Sequence, residues 1–337
     1  MKAIGYQHCR TTQEDDILLN IQLDKPVATG RDCLIEVKAI AVNPVDTKIR
    51  STAQPDKGEY RVLGWDATGV VKAIGDQVTA FKPGDKVWYA GAVNRPGCNA
   101  EFQLVDERLV ALKPETLSFC EAAALPLTSL TAWEILFDRL QIHQQPEKQK
   151  SLLITGAAGG VGSIMIQLAR GLTTAKVIAT ASREETEKWV RQLGAHVVLN
   201  HHKALSKELE KVGLASVTHV ASLNQTDLHF AEIVKMLQPQ GKLALIDTPV
   251  QALDLLSMKQ KSLSLHWEFM FTRSAFETDD MIHQHHILSR VAELVDNGVI
   301  KSTMNQHFGS INAENLIKAH RFIETNTSIG KVVLEGF

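Results

Sequence analysis

The stretch 151–183, SLLITGAAGGVGSIMIQLARGLTTAKVIATASR, constrains the fold more than any other part of the chain. It opens with a run of branched apolar residues over 151–155, as a strand buried on both faces requires. A glycine-rich turn follows at once: Gly156-Ala157-Ala158-Gly159-Gly160-Val161-Gly162. Against the dinucleotide-binding spacing G-x-G-x-x-G it reads Ala157-x-Gly159-x-x-Gly162, with alanine at the first glycine. The middle glycine lets backbone approach a pyrophosphate, and the last lets a helix pack closely on its strand. Apolar residues at Ile164, Ile166, Leu168, Ala169 and Leu172 mark an amphipathic helix, and Gly171 is read as its stop. Its N-terminal amides and dipole would face the phosphates, with Ala158, Gly159, Gly160 and Val161 as the contact residues.

The second strand is expected over 176–182. About twenty residues after the glycines, a site for NAD places Asp or Glu on the ribose 2′-hydroxyl. Here that position holds Ala181, followed by Ser182 and Arg183. No acid stands there to repel a 2′-phosphate, whereas a hydroxyl and a planar guanidinium can bind one. The expected cofactor is therefore NADPH, held in part by Ser182 and Arg183. The plainer alternative is a solvated arginine in the first turn of a helix. Glu184 and Glu185 suit a helix N-terminus, and Glu184–Lys188 and Glu187–Arg191 are i,i+4 pairs, so these acids need no ligand.

A chain of 337 residues suggests about two domains, and 44% hydrophobic residues suffice for packed cores. A net charge of −2 gives no reason to expect nucleic acid or an anionic membrane as partner. Cys9, Cys33, Cys98 and Cys120 are scattered, with no CxxC pair and no disulfide framework, consistent with a reducing cytoplasm. The start, MKAIGYQHCR, lacks the apolar core of a signal peptide, and no stretch is long enough to span a bilayer. The polar segment 141–150 reads as a loop.

Before residue 115 the pattern is mostly strand: 33–41, 67–74, 86–90, 100–105 and 109–112, divided by Gly and Pro turns, which suggests a small barrel. Ser118 with Glu121 forms a capping-box signature, and 128–140 reads as helix. From 151 strands and helices alternate. Strands are expected at 197–199, 219–221, 242–246 and 263–267, and helices near 184–193, 204–212, 226–237 and 279–297. The fold class is thus α/β, with a doubly wound parallel sheet beside a strand-rich lobe. The strand 330–334 near the C-terminus would rejoin the first lobe. The division expected is a catalytic domain over 1–125 completed by 270–337, and a nucleotide-binding domain over 126–269.

Several motifs together resemble the medium-chain dehydrogenase/reductase superfamily, and within it the quinone oxidoreductase-like branch. They are Asn43-Pro44-Val45-Asp46, the run from Val62 through Gly64-Trp65-Asp66 to Val71, Phe81-Lys82-Pro83-Gly84-Asp85-Lys86-Val87, Ala124-Leu125-Pro126-Leu127 through Trp133, the glycine turn and Gly330-Lys331. The resemblance spans the whole chain. It implies a GroES-like β-barrel catalytic domain, a Rossmann domain, a cleft between them, and usually a dimer or tetramer; a homodimer is expected. It also implies cofactor contacts from Thr131, Asn200 and Lys331, although Thr131 can be an ordinary helix hydroxyl and Lys331 a strand-end surface charge. Zinc-dependent members hold their catalytic metal with a cysteine, a histidine and a second cysteine. Those positions fall here at Asp46, Trp65 and near Leu127, and the region of the four-cysteine structural lobe holds only Cys98. Tryptophan and leucine cannot ligate zinc, so no metal is expected. His283, His285 and His286, or His201 and His202, lack a third ligand at sensible spacing.

Without a metal, the hydride acceptor must itself spread developing charge, which favours a quinone or an α,β-unsaturated carbonyl. The reaction expected is an NADPH-dependent reduction of such a small molecule. Asn43, Asp46 and Thr131 are the catalytic candidates: Asn43 as donor to a carbonyl or the ribose, Asp46 orienting water or the ribose. Asn43 and Asp46 can equally just cap a helix. Trp65 and Phe271 are expected to line the substrate pocket, with Phe269-Met270-Phe271 as pocket wall, dimer contact or plain core. Asp66 is expected to pair with an arginine such as Arg50 or Arg61. Two other readings stay open: a zinc-dependent alcohol dehydrogenase, and an NADPH-binding sensor or structural protein with little catalysis.

Overall fold

The computed structural model describes residues 1–9, 17–145 and 148–337, and the chain divides into two compact units, 1–130 with 271–337 and 131–270. The first unit begins with β1 (Lys2–Tyr6), β2 (Leu19–Gln22) and the long β3 (Asp32–Val42), which leads into helix α1 (Pro44–Thr52). Then come β4 (Arg61–Val62), β5 (Ala67–Ile74), β6 (Lys86–Tyr89), β7 (Phe102–Asp106) and β8 (Val110–Leu112). Short helices α2 (Phe119–Ala123) and α3 (Pro126–Trp133) follow. Ser118 caps α2 and Glu121 answers it, as the sequence predicts.

The second unit holds β9 (Ser151–Thr155), α4 (Gly160–Leu172), β10 (Lys176–Thr180), α5 (Glu184–Gln192), β11 (Val197–Leu199), α6 (Leu205–Lys211), β12 (Val217–Ser222), α7 (Thr226–Met236), β13 (Leu237–Leu245) and β14 (Ser264–Trp267). Its sheet is wholly parallel, in the order β11-β10-β9-β12-β13-β14. The chain therefore winds outward one way from β9, then returns and winds the other way from β12. That reversal between β9 and β12 is the switch point where such sheets bind ligands. Leu205, Leu209, Phe230 and Ile233 from α6 and α7 seal one face against Leu153, Val220 and Leu243.

The chain then re-enters the first unit with α8 (Thr272–Ala275), α9 (His283–Asp296), β15 (Met304–His307), α10 (Ala313–Glu324) and β16 (Lys331–Glu335). Strand β3 organises this unit. Its first half pairs with β7, its second half with β16, and its other edge with β5 along most of its length. Two register shifts against β5 bend the ladder, as bulges do. Residues from both ends of the chain thus meet on one strand, with Val42 opposite Val332.

Several boundaries differ from expectation. Helix α4 runs through Gly171, and Thr173 ends it by turning its hydroxyl back to Ala169 O at 2.7 Å. The helix expected over 128–140 begins at Pro126 and widens after Trp133 into a π-helical turn, where Leu140 N–H reaches Ile135 O. Strand β10 stops at Thr180, leaving Ser182 and Arg183 in the connection to α5. Strands β1, β2, β4 and β15 and helices α8 and α10 carry no expectation at all. Within the segment 141–150, Pro146 and Glu147 lie outside the described residues. All four cysteines are free, and among the described residues no helix is long and apolar enough to cross a membrane.

Helix α1 is held from below. Arg50, buried in its last turn, donates to His320 Nδ1 on α10 at 2.9 Å and pairs with Glu324. The Tyr6 hydroxyl donates to Ala53 O at 2.7 Å. Burial, and then the Arg50 charge, hold the His320 imidazole down to about 3, so it is neutral in the fold. Below its ordinary value of 6.5 the unfolded chain binds a proton there that the folded chain refuses, and stability falls as pH drops. Between pH 6.5 and 5 this one group is expected to remove about 2 kcal/mol. Urea unfolding of wild type and His320→Gln at both pH values checks this: the variant should lose correspondingly less, and equal losses would clear His320 of the effect.

Candidate active site

In the second unit the glycine turn sits at the C-terminal end of β9, at the switch point of the sheet. Gly162 has no room for a side chain, since a Cβ there would lie 2.4 Å from Ala157 O. At Gly159 a Cβ would meet only Gly156 O, at 3.4 Å, so the outer side of the turn is open. Ala158 to Val161 are partly exposed, and the first-turn amides of α4 have no partner within the helix. An open backbone surface, a helix N-terminus and an absence of side chains together suit a pyrophosphate. Thr131 lies buried on α3 at the start of this unit.

Next to the turn, β10 and β11 end side by side, with Thr180 opposite Leu199 and Ala181 N–H bonded to Leu199 O. This register brings Ser182, Arg183 and Asn200 to neighbouring strand ends. Arg183 begins α5 with its side chain partly exposed, its Nε 3.3 Å from Glu185 Oε1. Asn200 Oδ1 accepts from His202 N–H at 2.9 Å and shapes the turn after β11. His201 lies in this turn, and burial together with nearby His202, His229 and Arg183 lowers its affinity for a proton. A third imidazole comes near from α7, with the His201 and His229 rings 6.3 Å apart, but the three histidines do not gather into a metal-ligand set. Sequence reasoning also missed a hydroxyl chain across the sheet end. Thr155 donates to Ser222 at 3.3 Å, Ser222 bonds Thr226 at 2.8 Å, and Thr226 N–H donates to Asp247 at 2.9 Å.

The first unit gathers the other candidates into one buried network. Asn43 stands before α1 in extended conformation, and Asp46 Oδ2 accepts its N–H at 2.6 Å. The helix-capping role weighed for this pair is therefore real. Yet Asn43 does more than end a helix. Its Nδ2 donates to Asp66 Oδ2 at 3.2 Å and to Ala41 O at 3.4 Å, while its Oδ1 accepts from Lys331. Lys331, only 3% exposed, also donates to Val42 O at 2.9 Å and pairs with Asp66 at 3.1 Å. It is no surface charge. These contacts engage the Lys331 ammonium and both amide hydrogens of Asn43 within the protein itself. Asn43 and Lys331 thus hold each other, Asp66 and two backbone carbonyls together. Asp66, expected to meet Arg50 or Arg61, instead takes Lys331, Asn43 and the Leu127 N–H at 3.1 Å.

Two carboxylates and one ammonium share this dry region. Burial raises both acids, and Lys331 pulls each back. Asp46 is pushed up to about 7: burial leads, with Asp66 adding to it against the Asn43 N–H and Lys331. The Gly64 backbone N–H also faces this carboxyl and favours its charge, although Oδ1 makes no hydrogen bond of ordinary geometry. The chain enters this region through Gly64, at φ +105°, where a Cβ would lie 2.5 Å from Asn99 Oδ1. Trp65 then turns inward, donates its indole N–H to Ala92 O at 3.0 Å and meets Phe271 edge-on at 6.1 Å. Phe271 and Met270 are buried, whereas Phe269 is exposed. The aromatic run is thus divided between core and surface.

The donor set here does not fit zinc. Of the three ligand positions, Asp46 offers a single carboxylate, Trp65 an indole N–H that cannot ligate, and Leu127 only backbone. A catalytic zinc needs three protein ligands. Cys98 is buried, and its thiol faces Asp66 O at 3.7 Å. Of the helix histidines, His285 Nδ1 contacts Val110 O at 2.6 Å and its ring meets Phe81, so it packs α9 onto the sheet.

Comparison with known proteins fits this architecture. Residues 29–115 match the alcohol dehydrogenase GroES-like domain, and residues 193–334 match the zinc-binding dehydrogenase family. A zinc-type alcohol dehydrogenase-like protein of Staphylococcus epidermidis is 42% identical over 99% of both chains. Mouse quinone oxidoreductase is 41% identical over 56% of this chain and 55% of its own. Among solved structures, a candidate zinc-dependent alcohol dehydrogenase protein from Rhizobium etli superposes with TM-score 0.97 at 50% identity, covering 100% of this chain and 98% of the other. A mycobacterial protein solved with NADPH gives 0.83 at 27% identity, covering 99% and 100%. With a GroES-like unit, a Rossmann sheet in the order that reverses at its glycine turn, and full-length relatives, this chain belongs to the medium-chain dehydrogenase/reductase superfamily of oxidoreductases, beside the zinc-type alcohol dehydrogenase-like proteins.

Proposed function

We propose that this protein transfers hydride from NADPH to a quinone or an α,β-unsaturated carbonyl without a metal ion. One observation carries the reading: the strand end beside the glycine turn presents Ser182 and Arg183 where an NAD site would present an acid. Bound NADPH would supply the hydride. Ala158 to Val161 would hold its pyrophosphate, and Ser182, Arg183 and Asn200 its 2′-phosphate end. The mycobacterial relative solved with NADPH supports this choice, and mouse quinone oxidoreductase supports the acceptor class. The Asp46, Trp65 and Leu127 set, which does not fit zinc, favours an acceptor that delocalises its own charge. Thr131 is the residue proposed to meet the nicotinamide carboxamide. Asn43 and Lys331 hold the network around Asp46 and Asp66.

A specific observation also favours a second reading, an NADPH-binding protein with little catalysis. Asn43 and Lys331 spend their hydrogens on each other, on Asp66 and on backbone. One assay separates the readings. NADPH absorbance followed with a panel of quinones and enones, before and after chelation, should show turnover that chelation leaves unchanged. Tight NADPH binding with no turnover would support the second reading instead. A zinc lost together with activity would return the metal.

The cofactor preference has its own test. Arg183→Ala removes a charge-assisted bond to a phosphate that NADH lacks. It should raise KM for NADPH by roughly tenfold or more and leave KM for NADH nearly unchanged. Equal changes would remove Arg183 from the phosphate site.

We also propose a homodimer joined along β14. This strand ends its sheet, and Trp267 and Phe269 beside it are 54% and 51% exposed. An unpaired edge with exposed aromatics is costly to leave in water. Sedimentation velocity should give a dimer for wild type and a monomer for Trp267→Glu with Phe269→Glu; an unchanged dimer would move the interface elsewhere.

A further inference from the structure

We propose that Cys120, His307 and Glu335 form a zinc site on the first unit, unrelated to hydride transfer. The three residues come from three elements, α2, β15 and β16, and their ligand atoms all lie within 4.8 Å of one another. Among the described residues no other group of His, Cys, Asp and Glu does this.

The fold makes the arrangement rigid where zinc needs rigidity and loose where it needs access. Val333 and Glu335 alternate onto the same face of β16, and His307 stands opposite Val333 in the parallel β15–β16 pair. Val333 packs with Ala39, Ala41, Ala123 and Cys120, so α2 lies on that face and fixes the thiol. The loop after His307 is pinned to β16: Phe308 N–H donates to Val333 O at 2.9 Å and Glu335 N–H to Gly309 O at 3.0 Å. The thiol is buried, whereas His307 and Glu335 are exposed and can rotate inward.

The chemistry matches one ion better than others. A thiolate, an imidazole and a carboxylate are the three donor types zinc accepts, at roughly 2.3, 2.0 and 2.1 Å. Those bond lengths put tetrahedral donors roughly 3.5 Å apart, so the exposed pair need close by only about 1 Å. Calcium and magnesium would not choose sulfur, and copper(I) would not choose a carboxylate. Water from the open side supplies the fourth ligand. Burial and a hydrogen bond to Glu335 push the Cys120 thiol up to about 12, so zinc must displace this proton: the S–H is exchanged for an S–Zn bond, Glu335 turns from the thiol to the ion, and the proton leaves to solvent. His307 Nδ1 now accepts from Gly309 N–H at 3.2 Å; if zinc takes that nitrogen, water can replace it at the partly exposed Gly309. An ion here would tie α2 to the C-terminal strand and stabilise the fold by mass action.

The experiment uses the full chain, reduced and stripped of metal, with cobalt(II) as the spectroscopic probe and zinc as competitor. One equivalent of cobalt should give a thiolate-to-cobalt charge-transfer band that zinc abolishes. Cys120→Ser should remove the band. His307→Ala and Glu335→Gln, both at exposed positions, should each weaken binding tenfold or more. Zinc should raise the thermal midpoint of wild type and leave that of His307→Ala unchanged. A missing band, a band that survives Cys120→Ser, or affinity that ignores both exposed substitutions would overturn the site. NADPH turnover serves as the separate readout: where found, it should be the same in Cys120→Ser as in wild type.

Discussion

The buried contact between Lys331 and Asp66 is the interaction on which the first unit depends. It joins a strand from the C-terminal end to the connection before β5, and through Asn43 it reaches the start of α1. Taking an ammonium and a carboxylate out of water is expensive, and attraction repays the cost only when the remaining lone pairs and hydrogens are also satisfied. Here they are. Lys331 donates to a backbone carbonyl, an amide and a carboxylate, while Asp66 accepts from Lys331, Asn43 and the Leu127 amide. A pair this complete costs about 3–5 kcal/mol to break from one side. It is therefore a device for specificity: only one register of β16 on β3 places the lysine within reach.

The same contact places a positive charge in the region where zinc-dependent members would hold their cation. A zinc ion would neutralise nearby acids. Here the positive charge is a lysine, delivered by the last strand and fixed by three bonds. Trp65 and Leu127 fill the volume where ligands would stand, and each is tied to backbone or to Asp66. In the nucleotide unit the corresponding economy is backbone rather than charge. Gly162 lets α4 approach β9, and the open turn offers amides in place of side chains.

What the sequence makes legible is what repeats locally. Branched runs, Gly turns and helix caps define β5, β9, β11, α2 and the doubly wound order, because each signal spans few residues. Pairings across the chain are another matter. Asp66 finds Lys331, 265 positions away in sequence, and not the nearby Arg50, which turns to His320 and Glu324 on an unforeseen helix. Arginine is the better partner for a carboxylate by chemistry, but topology decides who is adjacent. The π-helical turn after Trp133 and the passage of α4 through Gly171 fail for a related reason. Local propensity sets a preference of under about 1 kcal/mol per residue, and tertiary packing exceeds it. His229 illustrates the gap in the site itself: its place beside His201 follows from α7 lying next to the turn after β11, which no spacing rule reveals.

Asp46 is the residue that the stability of the fold does not explain. As a helix cap it needs one acceptor oxygen, which an asparagine also has, without the cost of burying a charge. Instead the carboxyl is fully buried and is pushed up to about 7 by burial and by the charge of Asp66, against the Asn43 and Gly64 amides and Lys331. Its ionised form is unfavourable in the fold, so the protein becomes less stable as pH rises from the ordinary carboxylate range through 7. Groups shifted by burial in this way concentrate at functional sites, because there the strain has a use. A carboxyl that is half protonated near neutrality can hold or release a proton at little cost. Asp66 is raised as well, but Lys331, Asn43 and the Leu127 N–H all favour its charge, so within this network burial is opposed most fully at Asp66.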